Sequence, residues 1–121
     1  MSNKRYKSGY MFELNTKHVL EKKGYYVMAS RGSHGNLDLI AFNNDLILGL
    51  QLKKNCNISR EELNKLYNLP KLPNMYLACL IKNNQIELKF VGKEPEKKIK
   101  EKIIYDLTNK GDNYDWNTKT T

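Results

Sequence analysis

Residues 35 to 54, GNLDLIAFNNDLILGLQLKK, alternate apolar side chains closely enough to specify two strands joined by a polar turn. They also carry three groups that such strands ordinarily exclude. Asp38, Gln51 and Lys53 set a carboxylate, an amide and an ammonium in a run of Leu, Ile, Ala and Phe. Burying even a neutral polar group without a partner costs roughly 2 to 7 kcal/mol, and a lone charge costs more. Any fold this chain adopts must satisfy these groups or use them.

Side chains alternate across a strand, so Ile47, Gly49, Gln51 and Lys53 fall on one face and Leu46, Leu48, Leu50 and Leu52 on the other. Asp38 shares a face with Ile40 and Phe42. A four-residue turn, Asn43 to Leu46, pairs Phe42 with Ile47, Ile40 with Gly49 and Asp38 with Gln51, whose Cβ atoms are then about 5 Å apart. A two-residue Asn43-Asn44 turn makes Asp38 and Gln51 diagonal neighbours, and a three-residue turn puts them on opposite faces. Where they meet, both offer oxygens to one hard cation such as Mg2+, and Lys53 adds a positive charge about 7 Å along the strand. A hydrogen bond from Gln51 to Asp38, or an ion pair of Asp38 with Lys53, serving only the register, explains the same pattern.

Around this hairpin the chain reads as further regular elements. A basic arm over residues 1–8 carries Lys4, Arg5 and Lys7, and Ser8 stands as the N-cap of a helix from Gly9 or Tyr10 to Lys23. Phe12, Thr16, Val19 and Leu20 share one face of that helix, Glu13 falls at its margin, and Gly24 is the C-terminal cap. YYVMAS reads as a strand and RGSHGN as a loop. SREELNKLYNL opens with a capping box, Ser59 with Glu62, and ends before Pro70. MYLACLI and IELKFV form a hairpin across KNNQ. Beyond Pro95 the spacing of Ile99, Ile103 and Leu107 suggests a third helix, although KIIYDL also suits a strand. Tyr6, Tyr10, Tyr25 and Tyr26 are expected at the core edge, and residues 111–121 form a polar tail. Helix, three strands, helix, two strands, helix is the order of an α/β domain with a mixed sheet.

At 121 residues the chain suits a single domain over residues 1–121. Lys plus Arg number 21 and Asp plus Glu 13, a net charge of +8 that makes a polyanion the first partner to consider. No segment approaches the roughly 18 apolar residues of a membrane span, and the N-terminus lacks an apolar run of signal-peptide length. An intracellular, cytoplasmic location is expected, or the host cytoplasm for a viral protein. Cys56 and Cys79 have no companions at zinc-ligand spacing and are expected to be ordinary thiols.

Glu13 in a helix, Asp38 at the start of a strand and Gln51-Leu52-Lys53 at the end of the next resemble the core of the PD-(D/E)XK nucleases, and within it the archaeal-type Holliday-junction resolvases. The likeness runs over residues 4–54: a basic arm, GYMFE at a helix start, KKGYYV at its end, the loop SRGSHGN, then DLIAF and LQLK. It implies a restriction-endonuclease-like mixed five-stranded sheet flanked by helices. It also implies a Mg2+-dependent, structure-selective DNA endonuclease of recombination and repair, resolving four-way (Holliday) junctions by paired nicks from a homodimer. In such an enzyme Mn2+ substitutes for Mg2+, and neither a membrane nor a small-molecule cofactor is expected. Carried over position by position, Glu13, Asp38 and Gln51 are metal ligands, Lys53 orients the attacking water or stabilises phosphorane charge, and a loop serine, Ser33 or Ser30, assists. Lys4, Arg5, Lys7, Arg31, His34 and Lys54 are the candidate DNA contacts, although Arg31 and His34 also suit a merely solvated loop. Gln51 departs from the pattern, because most relatives have a carboxylate there, and one negative charge is lost. The alternatives are another PD-(D/E)XK nuclease acting in restriction, repair or transposon-end cleavage, a catalytically inactive DNA-binding module, or an RNA-processing relative of the tRNA-splicing kind.

Overall fold

The computed structural model describes residues 4–29 and 37–108, with the side chains of residues 4–9 excepted. The expected order of elements is the observed one: α1 (Lys4–Lys22), β1 (Tyr26–Ala29), β2 (Leu39–Phe42), β3 (Ile47–Lys54), α2 (Arg60–Tyr67), β4 (Met75–Lys82), β5 (Ile86–Val91) and α3 (Lys97–Thr108). KIIYDL is thereby helical. The strands form one five-stranded sheet in the order β1-β2-β3-β4-β5. Its β3–β4 pair is parallel and the other pairs are antiparallel. Parallel neighbours need a crossover, and α2 lies within it.

Asn43 decides which of the three turns forms. Its Oδ1 accepts from the amides of Asp45 and Leu46 at 2.8 and 3.0 Å, and its own N–H donates to the Leu46 carbonyl at 3.1 Å. An Asn side chain closing its own turn in this way fixes the four-residue connection, with Phe42 opposite Ile47, Ile40 opposite Gly49 and Leu39 opposite Leu50.

The alternation then gives the sheet two different faces. On one, Phe12, Val19 and Leu20 of α1 and Ile103 and Leu107 of α3 are buried with Val27, Leu39, Ala41, Leu48, Leu50, Ala78 and Leu80. On the other, Leu66 of α2 packs with Leu77 and Val91, edged by Leu37, Ile58 and Leu63. Gly49 belongs to this second face, where a Cβ would come within 2.8 Å of Leu77 Cδ2 and 3.0 Å of Leu37 Cδ1. Its lack of a side chain lets the two leucines close over the strand just before Gln51.

The helix ends show which local signals held. Gly24, at φ +93°, follows α1 in a Schellman arrangement, with Tyr25 N–H donating to Leu20 O and Gly24 N–H to Glu21 O, each at 3.0 Å. Both halves of the Ser59–Glu62 capping box are present at the start of α2. At the other end of α1 the expectation was wrong: the helix begins at Lys4, so Ser8 is internal and residues 4–8 are helical backbone instead of an arm. Nothing in this segment except Gly9 disfavours helix strongly, and a single internal glycine costs only about 1 kcal/mol. Tyr25 is buried as expected, whereas Tyr26 is 64% exposed and stacks its ring on Phe42 at 5.2 Å, because α1 covers only the opposite face of β1.

Candidate active site on the α2 face of the sheet

The four-residue turn brings the polar residues of the hairpin to the same end of one sheet face. Asp38 lies one residue before β2 and continues its ladder through an N–H bond to Leu50 O at 2.8 Å. Beyond that point β3 has no further β2 residue to pair with, and the Asp38 carboxylate takes over: Oδ2 accepts from the Leu52 N–H at 2.8 Å. Gln51 is the next residue of β3, one beyond the Leu50 that pairs with Leu39 and accepts from the Asp38 N–H, and it is paired with Cys79 of β4 on the other side. Its side-chain Oε1 is shut off from solvent and has no hydrogen-bond partner. Lys53, two residues on, is ion-paired with Glu62 Oε2 of α2. The other oxygen of Glu62 accepts from the Ser59 amide at 3.0 Å, so one carboxylate both caps α2 and holds the lysine.

Charges in this group influence one another. Burial, above all, pushes the Asp38 carboxyl above its ordinary value, the Glu62 charge adds to the effect, and the Leu52 amide and Lys53 oppose it. Glu62 moves the other way, held below the usual carboxylate range by its bond from Lys53 and then by the Ser59 amide. Cys79 is buried and its thiol is pushed up to about 12, chiefly by burial, with Lys53, Glu62 and Asp38 all acting on it. It is therefore a packing residue and no nucleophile.

Neither cross-strand pairing expected of a purely structural cluster is made, since Asp38 bonds a backbone amide and Lys53 bonds Glu62. Glu62 is the residue that sequence reasoning missed. The capping box accounted for it fully, and its reach to Lys53 depends on how the crossover returns α2 to the sheet. Glu13 lies in the middle of α1, half-buried, and not at a helix start. Among the described residues no three His, Cys, Asp or Glu side chains gather at metal-ligand spacing. Glu13 is thus not drawn into a triad with Asp38 and Glu62. Lys54, the last residue of β3, is half-buried. Ser30, Arg31, Ser33 and His34, the side chains of Lys4, Arg5 and Lys7, and the tail at 111–121 lie outside the described residues.

The donor chemistry suits a hard divalent cation. The Asp38 carboxylate is bonded to the amide of Leu52, the residue after Gln51, and the Gln51 amide oxygen is buried without a donor. Leaving such an acceptor unmet costs about 1 to 3 kcal/mol. A bound cation would satisfy it.

No protein-family model matches the chain. No curated protein matches it in sequence. Among solved structures, Archaeoglobus fulgidus Hjc, a Holliday junction resolvase from an archaeal hyperthermophile, is similar at a TM-score of 0.54 and 19% identity, over 66% of this chain and 72% of that one. No helix of the described residues is long and apolar enough to cross a membrane. The mixed five-stranded sheet with its three flanking helices is an α/β fold shared with that archaeal resolvase structure.

Proposed function

We propose that this chain is a Mg2+-dependent, structure-selective DNA endonuclease that resolves four-way junctions in the cytoplasm as a homodimer, each subunit nicking one strand. The observation that carries this reading is the orphaned, buried Oε1 of Gln51, between the two β3 residues whose backbone groups hold Asp38 and two residues from Lys53, on a resolvase fold. Asp38 and Gln51 hold the ion; Glu13 of α1, which does not gather with Asp38 and Glu62, is not counted among its ligands. Mg2+, or Mn2+ in its place, supplies there the positive charge that activates water and neutralises the phosphate oxygens during in-line attack. Asp38 is fixed by the Leu52 amide on Oδ2, and Oδ1 would be the oxygen available to the ion. Lys53, paired with Glu62 in the metal-free protein, would present its ammonium to the phosphate as charge develops on it.

The net charge of +8 supplies the attraction to DNA. If about six phosphates are neutralised by Lys4, Arg5, Lys7, Arg31, His34, Lys54 and their counterparts in the second subunit, log K against log[salt] should have a slope of about −5. A slope near zero in a titration of junction binding would mean that phosphate contacts do not dominate.

Gln51 provides the direct test of the site. Gln51→Glu should keep the geometry, add a negative charge and lower the Mg2+ concentration for half-maximal junction cleavage. Gln51→Ala should raise that concentration or remove activity, because the ion exchanges a fixed oxygen for water. Identical Mg2+ titrations for the wild type and both variants would eliminate Gln51 as a ligand. A wild type inert at every Mg2+ concentration, with activity only in the glutamate variant, would favour the second reading, a DNA-binding module whose site has decayed at position 51.

A further inference from the structure

Position 51 contributes an oxygen but no charge, so a divalent cation held by Asp38 and Gln51 meets one negative charge there, with the Lys53 ammonium two residues along β3. The balance is unfavourable for a hard ion, whose affinity rises with the number of charged ligands. Crossover helix α2 brings another carboxylate to the same place. Glu62 Oε2 reaches Lys53, on the Gln51 face of β3 and two residues beyond it, while Oε1 stays on the Ser59 amide and ties the side chain to its helix. We infer that Glu62 is a metal-facing carboxylate of this site, supplying from α2 the negative charge that Gln51 does not bring from β3.

The inference rests on the metal site proposed above and adds one residue to it. In the metal-free protein Lys53 occupies the place of the cation against Glu62. With an ion bound, Glu62 Oε2 would be available to it, and Lys53 would be free to serve the phosphate. The backbone cap is unaffected, because Oε1 makes it.

Glu62→Gln tests this without unfolding α2, since glutamine serves equally at the third position of a capping box; an unchanged circular dichroism spectrum and melting temperature verify that. Mn2+ binding to the full chain, followed by electron paramagnetic resonance in the absence of DNA, is the readout. Glu62→Gln should weaken Mn2+ binding about tenfold or more. Adding Gln51→Glu to that variant should bring binding back to near the wild-type level by returning the charge to β3. Wild-type Mn2+ affinity in Glu62→Gln, with only cleavage reduced, would overturn the assignment and leave Glu62 as the residue that positions Lys53. Failure of Gln51→Glu to rescue would equally count against it. A wild type that binds no Mn2+ would overturn this inference together with the metal site beneath it, and so separates the two failures.

Discussion

Asp38→Asn is expected to lower four-way-junction cleavage by about a hundredfold or more, and at the same time to raise the melting temperature of the metal-free protein at pH 7. The first effect follows if Asp38 is the charged ligand proposed, because its loss leaves the basic surface intact, so junction binding should stay within a few-fold. The second follows from burial, which pushes the Asp38 carboxyl above its ordinary 3.8. The folded chain thus keeps this proton to a higher pH than the unfolded chain does. Stability from this group is therefore fully present below about 3.8 and is lost as pH rises through the folded value. At pH 7 the ionised carboxylate destabilises the fold, and asparagine removes that burden while still accepting from the Leu52 N–H. The difference in melting temperature between variant and wild type should shrink as pH falls toward the unfolded value. A variant less stable than the wild type at pH 7 would show that Asp38 is there to hold the strands together. Full cleavage by it would move the active site elsewhere.

Lys53→Ala should reduce turnover by a comparable factor with little effect on the affinity for uncut junction measured in Ca2+. In the proposed mechanism its ammonium acts on charge that exists only in the transition state, so its loss would belong in kcat and not in ground-state binding. The ion pair with Glu62 adds little to stability, because both side chains keep contact with solvent, 20% and 30% exposed. The melting temperature should accordingly change far less than the rate. Equal losses in junction affinity and in turnover would instead make Lys53 an ordinary phosphate contact.

The features legible in the sequence were those set by neighbours along the chain. Alternation fixed the faces of β3, the Ser59–Glu62 spacing marked α2, and Gly24 marked the end of α1. Register was legible only as three alternatives, because parity depends on turn length, and the hydrogen bonds of the Asn43 side chain chose among them. What stayed hidden depended on contacts between distant segments. Glu62 meets Lys53 only after the crossover packs Leu66 against Leu77 and Val91, and no periodicity encodes that approach. Tyr26 carried no signal of its exposure either, since the sequence does not say that α1 and α3 share one face of the sheet and leave the β1 end of the other open. Ser8 misled because a serine before an apolar stripe is a good cap only where the preceding residues are not themselves helical.

The central claim, that this fold and this cluster cut branched DNA, is tested most directly by incubating the wild-type protein with labelled four-way junction, linear duplex and single strand, each with and without Mg2+. Paired nicks in the junction alone, only with Mg2+, and lost in Asp38→Asn, are the predicted result. Cleavage of all three DNAs at similar rates would contradict the structure selectivity, and an intact junction at every Mg2+ concentration would contradict the nuclease itself.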